Sequence, residues 1–126
     1  MAHDALDEFG KFVMTHLRDR GIDHLDRLLA AQWKAPSLVK IQDELQALTP
    51  EQRGLARRAC VQSLDSAIHD FLFALQEQTD LADAHIAVTV ADQNIAAMSD
   101  GLQGELFTNN GWYARYSAYG EPPDEA

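Results

Sequence analysis

The sequence predicts a mainly α-helical fold, with about four helices around one long helix; α+β is the alternative class. Over most of the first 78 residues, apolar side chains recur at steps of three and four, which is the period of an amphipathic helix. A stretch near 85–97 alternates with a period of two instead, as strands do. Residues 100–120 are rich in glycine and aromatic residues, and we expect them to pack on the helices. No linker divides residues 1–126, so one domain is predicted.

Two helices are predicted before residue 36. Asp4 can cap the first helix, and Gly21 is expected to end it in a left-handed conformation. The apolar stripe of this first helix is Leu6, Phe9, Val13 and Leu17. Asp23 is predicted to begin the second helix, and Ala35-Pro36 to end it, because a residue before proline avoids helical angles.

The third helix and the long helix follow with almost no loop between them. Ser37 is predicted to open the third helix, with a stripe of Leu38, Ile41, Leu45 and Leu48. The long helix is predicted over 50–78, because Thr49 can cap it and Gln52 completes a capping box. Its apolar stripe is Leu55, Ala59, Val61, Leu64, Ile68, Phe71, Leu72 and Leu75. Cys60, in this helix, is expected to be a small buried residue.

A small β element is predicted near 85–97. Ile86, Val88 and Val90 alternate with smaller residues, and Asp92-Gln93-Asn94 has turn chemistry before Ile95-Ala96-Ala97. A helix over 81–98 is the alternative. It stays open because Leu81, Ala84, Val88 and Ile95 also lie near one helical face.

The segment 100–120 contains half of all the aromatic residues and four of the seven glycines. Trp112 and Tyr116 are four residues apart, as a packed helical face requires, so we expect both to point inward. Their neighbours are then expected to face solvent, where tyrosine and arginine suit binding. The predicted interaction surface is Tyr113, Arg115, Tyr119, Asp100 and Glu105.

The same segment carries a resemblance. Ser99-Asp100-Gly101-Leu102-Gln103-Gly104-Glu105-Leu106, followed by Gly111-Trp112-Tyr113-Ala114-Arg115-Tyr116-Ser117-Ala118-Tyr119-Gly120, resembles the ending of an uncharacterised family of small bacterial helical proteins. The resemblance covers the last quarter of the chain. It implies a bacterial origin and a helical N-terminal part, and it transfers no functional residue.

The negative charge of the chain argues against two classes of partner. A net charge of −10 argues against binding to nucleic acid or to an anionic membrane surface. The first residues lack the pattern of a signal peptide, and no run of residues is apolar enough for a membrane span. With one cysteine besides, a cytoplasmic protein is expected.

Metal and catalytic motifs are weak in this sequence. Asp65 and His69 are four apart on the long helix and share a face, and His85 precedes the β element. These three residues are the candidate metal ligands, but no zinc, nucleophile or phosphate-loop motif accompanies them. The sequence therefore predicts no cofactor. Arg53 and Arg57, with Arg58, are expected to pair with carboxylates of the chain itself.

By elimination, the sequence favours a non-catalytic bacterial interaction protein, such as a regulator, an adaptor or an immunity-like partner. Its expected partner is a protein, with a second copy of the chain as one candidate. The alternative is a small enzyme or metal-binding protein with a pocket between the helices and segment 100–120. Asp100, Glu105, His69 and His85 would be its polar groups.

Overall fold

The computed structural model of the protein describes residues 4–81, 83, 85–107 and 110–123. The predicted mainly helical fold with a small β element is confirmed. The helices are α1 (Asp4–Val13), a π-helical turn (Met14–Arg18), α2 (Asp19–Leu29), α3 (Pro36–Gln46), α4 (Pro50–Asp80) and α5 (Trp112–Tyr116). The remaining elements are β1 (Thr89–Val90), β2 (Gln93–Asn94) and two 3-10 turns (Ala96–Met98 and Leu102–Leu106). Within the described residues, no helix combines the length and the apolar character that crossing a membrane requires.

The chain passes through Gly21 without leaving the helix, so the predicted helix end at this glycine is wrong. α1, the π turn and α2 follow one another directly. A Cβ at Gly21 would lie 2.9 Å from Cδ2 of Leu64 on α4. Gly21 therefore allows α2 to approach α4 closely. The helical segment ends at Leu29, two residues before Ala31, whose φ is 55°.

The π turn changes which side chains of this helical segment point inward. A π turn holds one residue more than an α turn, so it rotates the helical face that follows. The predicted stripe keeps Leu6 and Val13 in the core but leaves Leu17 exposed. Beyond Val13, the inward positions are Met14, Arg18 and Ile22, all buried.

α3 docks through a polar side chain. Gln42 is its buried residue, whereas Ile41 of the predicted stripe is exposed. The Gln42 side-chain amide accepts from the backbone N–H of Trp33 at 2.8 Å and donates to the Trp33 carbonyl at 2.8 Å. Both hydrogen bonds hold the loop between α2 and α3 against α3.

α4 confirms the predicted long helix, from its capping box at Thr49 and Gln52 to its end at Asp80. At ~1.5 Å per residue, its 31 residues span roughly 46 Å. Only its second half is well covered. Its buried apolar residues are Ile68, Leu72 and Leu75. Its exposed residues include Leu55, Ala59, Cys60, Phe71 and Phe73. The predicted stripe is therefore wrong at Leu55, Ala59 and Phe71, and the expected burial of Cys60 is wrong too.

The predicted hairpin is present, which makes the helical alternative for 81–98 wrong. β1 and β2 pair antiparallel, with Val90 opposite Gln93. The turn lies at Ala91 and Asp92, whose φ values are 51° and 66°. Two residues of the predicted turn, Gln93 and Asn94, therefore form β2, and Ala96–Met98 is a 3-10 turn and not part of a strand. Positive φ at both central residues defines the tight turn that matches strand twist.

The core joins α1, the second half of α4 and the C-terminal segment. Its buried apolar residues are Leu6, Val13, Met14, Ile68, Leu72, Leu75, Ile95, Ala96, Leu102, Leu106, Trp112 and Tyr113. Trp112 is seated against Gly10 so closely that a Cβ there would overlap the indole ring. Phe9 meets the same ring edge-on, at 5.9 Å between centroids. The expected packing of segment 100–120 on the helices is observed through these contacts.

Candidate functional site

The most connected side chain of the described structure is Arg18, which the π turn directs into the interior. Its exposed fraction is 1%. Nε donates to Oδ1 of Asp65 at 2.7 Å, and Nη2 donates to Oδ2 of Asp65 at 3.2 Å. Nη1 donates to Oγ of Ser117 at 2.8 Å and to the carbonyl of Gly120 at 2.6 Å. One guanidinium thus joins the π turn, α4 and the chain beyond α5.

Asp19, the residue after Arg18, also binds the chain beyond α5. Oδ1 of Asp19 accepts from the Ser117 hydroxyl at 2.6 Å, and Oδ2 accepts from the backbone N–H of Ala118 at 2.8 Å. Arg18 therefore binds hydrogen-bond acceptors of residues 117–120, and Asp19 binds donors of the same residues. Charged hydrogen bonds of this kind are about twice as strong as neutral ones.

Tyr113 lies beneath this network. The guanidinium carbon of Arg18 is 4.4 Å from the centroid of its ring, a cation–π contact. The Tyr113 hydroxyl is buried and has no hydrogen-bond partner among the described residues. Burial raises the pKa of Tyr113 above its ordinary value, and the negative charge of Asp65 adds to the rise while Arg18 opposes it. The phenol is therefore neutral at physiological pH.

A cavity of about 320 Å³ opens above Asp65 and Tyr113, between α4 and the C-terminal segment. Its apolar lining is Val61, Phe107, Tyr113, Pro122 and Pro123. Its polar lining is Arg57, Arg58, Gln62, Asp65, Ser66 and His69. Phe107 stands at the rim, 5.5 Å from the Tyr113 ring and 6.1 Å from the His69 ring between centroids.

The charges around the cavity are mostly matched. Asp65 is its only lining carboxylate among the described residues, and both its oxygens bond Arg18. Of the three arginines expected to pair with carboxylates, Arg57 does so, in a two-pronged pair with Asp26 at 2.7 and 3.2 Å, whereas Arg53 donates to the Leu48 carbonyl. Arg58, in contrast, has no ion pair or hydrogen bond with any described residue.

The predicted interaction residues do not form one surface. The expectation that Tyr113 faces solvent is wrong: its exposed fraction is 1%, because Arg18 and Asp65 cover it. Arg115 is exposed as predicted, but pairs with Asp7 at 2.9 Å. Tyr119 is exposed on the α2 side, where burial of its ring and the charges of Asp26, Asp23 and Asp19 raise its pKa.

Two carboxylates of the predicted surface lie elsewhere. Glu105 accepts a hydrogen bond from the Ser99 hydroxyl at 2.8 Å. Asp100 is exposed in the loop before Leu102. Neither residue lines the cavity.

The structure brings two of the three candidate metal ligands together. Asp65 and His69 both line the cavity, as their spacing on one helix face predicts, but His85 does not. Asp65 is bonded to Arg18, and Nδ1 of His69 is 3.2 Å from Oδ1 of Asp70. Among the described residues, no group of three or more His, Cys, Asp or Glu is arranged to hold a metal ion.

Sequence reasoning missed Arg18, Asp19 and Ser117. A signal for Arg18 exists in the sequence, because it stands between Met14 and Ile22 at steps of four, where a buried face would otherwise be apolar. Asp19 and Ser117 are 98 residues apart in the chain, and no local pattern links them. The chain matches no family model, no curated protein and no solved structure.

Chemically, the arrangement is suited to binding. Two of the three acid–base side chains among the described lining residues are not free to reach a substrate, because the Asp65 carboxylate is tied to Arg18 and the Tyr113 phenol is buried. His69 is the third, and its side chain is accessible. The accessible groups are Arg58, His69, Gln62, Ser66 and the ring of Phe107. They offer a positive charge, polar contacts and an apolar surface.

Proposed function

We propose that this chain is a non-catalytic bacterial interaction protein, in the class of regulators, adaptors and immunity-like partners. It binds a protein partner with the surface around the cavity. The bacterial cytoplasm is its proposed setting. The observation that carries the proposal is a concave site whose rim presents an exposed aromatic ring, Phe107, while its only described lining carboxylate is occupied by Arg18.

The exposed aromatic residues support a protein partner. Phe107 is 57% exposed and Tyr119 is 40% exposed. Tyr119 lies three residues before Pro122 of the cavity lining, in the stretch that Arg18 and Asp19 hold. Rings beside arginine are typical of the few residues that supply most of an interface's binding energy. The surface that we propose is therefore Phe107, the cavity mouth and Tyr119.

Site-specific photo-crosslinking tests the proposal. A benzophenone amino acid replaces Phe107 in the chain, expressed at its natural level in its own host. A matched control places the same group at Ile86, which is 61% exposed and lies on the hairpin side. We expect a discrete protein adduct from position 107 and none from position 86. A band at twice the 14.0 kDa chain mass identifies a second copy as the partner.

A variant shows whether the adduct reports recognition. Tyr119→Ala removes an exposed ring and is expected to leave the melting temperature unchanged. In that background the adduct from position 107 should weaken strongly. Equal adducts from positions 107 and 86, or no adduct from 107, contradict the proposed function.

A further inference from the structure

We propose that the cavity binds the chain-terminal carboxylate of a partner whose last residue has an aromatic or large aliphatic side chain. This inference rests on the proposed function and specifies what the partner inserts. It follows from the charge, the shape and the lining of the cavity.

The charged side chains that line the cavity are paired with opposite charges, with one exception among the described residues. Arg18 neutralises Asp65, and Asp26 neutralises Arg57. His69 contacts Asp70, so its protonated form is also matched. Arg58 alone remains without a partner among the described residues. In a chain with a net charge of −10, the described residues of this cavity leave one positive charge unmatched, which selects an anion.

The second step is the choice of anion. A guanidinium binds carboxylates and phosphates in a two-pronged geometry. One unmatched cation balances a carboxylate, which has a single negative charge, but leaves a phosphate monoester, with about −2, half balanced. The charge of the cavity thus favours a carboxylate.

The third step is the apolar part of the ligand. Val61, Phe107, Pro122 and Pro123 contribute the apolar walls, and Gln62 and Ser66 add polar contacts. A volume of about 320 Å³ is at the lower end for ligand pockets, which run from ~300 to ~1,000 Å³. It suits one large side chain together with its carboxylate. In a chain-terminal residue both groups are attached to the same Cα, so one residue satisfies the whole cavity.

An NMR titration of the full chain tests this inference. The probes are N-acetyl-L-phenylalanine and its uncharged amide, and the readout is the shift of the backbone amides of Val61 and Phe107. We expect the acid to bind at least about tenfold more tightly than the amide, because it gains a charged hydrogen bond. Phenyl phosphate should bind more weakly than the acid.

Matched variants test whether Arg58 supplies the positive charge that binds the acid. Arg58→Gln should reduce the affinity for the acid to that for the amide and leave the amide unaffected. Arg20→Gln makes the same charge change at another exposed arginine, outside the cavity lining, and should keep the tenfold preference. Arg58→Lys should retain part of the preference. Loss of the preference in Arg20→Gln as well, or equal binding of acid and amide to the native chain, overturns the inference.

A short peptide ending in phenylalanine separates a chain terminus from a free small acid. It should bind at least as tightly as N-acetyl-L-phenylalanine, and its exclusion from the cavity overturns the inference. The failures of the two proposals are distinguishable. An adduct from position 107 without a preference for the acid leaves the proposed function standing and removes this inference. Acid binding without any adduct removes the protein partner and leaves a small-acid site.

Discussion

The two ends of this molecule are held together in different ways. The apolar end comprises α1, α4 from Asp65 onward, and residues 95–116. Its large side chains, such as Met14, Leu72 and Trp112, are fully buried. The polar end comprises residues 23–64, where Gln42 is the only fully buried residue.

Hydrogen bonds and ion pairs connect the polar end. Besides the Gln42 contacts, Gln46 donates to the Leu29 carbonyl at 2.7 Å, and Arg53 donates to the Leu48 carbonyl at 2.6 Å. The exposed pair of Arg57 and Asp26 adds little, since surface ion pairs contribute ~0–1 kcal/mol. Burial stabilises by roughly 25 cal/mol per Å² of apolar surface, so most of the free energy of folding resides in the apolar end.

The cavity lies where the two ends meet. Its floor, Asp65 and Tyr113, belongs to the apolar end and is held by Arg18, whereas Arg57 and Arg58 come from the polar end. The wall that contains Arg57 and Arg58 is expected to be less stable than this floor. Such a wall suits a site that admits a partner, because binding segments are drawn from the less stable parts of a fold.

The largest loss of stability is expected at the cavity floor. Asp65→Ala leaves the buried Arg18 charge without its partner, which typically costs ~3–5 kcal/mol. Urea denaturation should show this loss in the free energy of unfolding. The double variant Arg18→Met with Asp65→Leu removes both charges and should lose much less than Asp65→Ala alone. A loss below about 1 kcal/mol for Asp65→Ala would mean that the guanidinium is solvated and the floor is not rigid.

One helix offers a direct comparison of the two ends. Leu72→Ala empties a position that is 1% exposed and should cost ~2–5 kcal/mol. Leu55→Ala makes the same change on the same helix where the leucine is 59% exposed, and should fall within ~0.5 kcal/mol. Thermal and urea unfolding measure both. Equal losses would refute the division into two ends.

A smaller effect is expected where α3 docks. Gln42→Ala removes two hydrogen bonds to the Trp33 backbone, and the freed backbone groups can bind water in part, so we expect a loss of about 1 kcal/mol. Hydrogen exchange should accelerate in α3 and leave the amides around Leu72 protected. Faster exchange at both places would show that the two ends unfold as one unit.

The smallest effect at neutral pH is expected for Tyr113→Phe. The hydroxyl is buried and has no hydrogen-bond partner among the described residues, so its removal breaks no hydrogen bond and should leave stability unchanged or raise it by up to about 1 kcal/mol. At alkaline pH the native chain and the Tyr113→Phe variant should differ in stability. Because burial raises the pKa of Tyr113 in the folded state, only the unfolded chain releases this proton above pH ~10. Stability is then lost as pH rises.

Measurement of unfolding free energy between neutral and alkaline pH checks this sign. The native chain should lose stability more steeply above pH ~10 than Tyr113→Phe does. Tyr119→Phe is a graded control, because Tyr119 is 40% exposed but its pKa is also raised, so its removal should reduce the alkaline slope less than Tyr113→Phe does. Parallel slopes for the native chain and Tyr113→Phe would show that this phenol ionises equally in both states.

Elements that depend on neighbours along the chain could be predicted from the sequence. Thr49 and Gln52 are three residues apart, so the start of α4 was predictable from local hydrogen bonding. The period of two near Val88 and Val90 indicated the hairpin, and the spacing of Trp112 from Tyr116 indicated an inward face. Each of these signals is contained within a few residues.

The residues of the site, in contrast, come together only in the folded chain. Arg18 meets Asp65 across 47 residues and Gly120 across 102, distances over which no period or cap conveys information. The π turn rotates the inward face, Leu64 makes Gly21 a packing position rather than a helix end, and Arg18 draws Tyr113 inside. A buried charge is stable only where its partners are supplied in space, so the position of the cavity floor depended on the folded arrangement of segments that are distant in the chain.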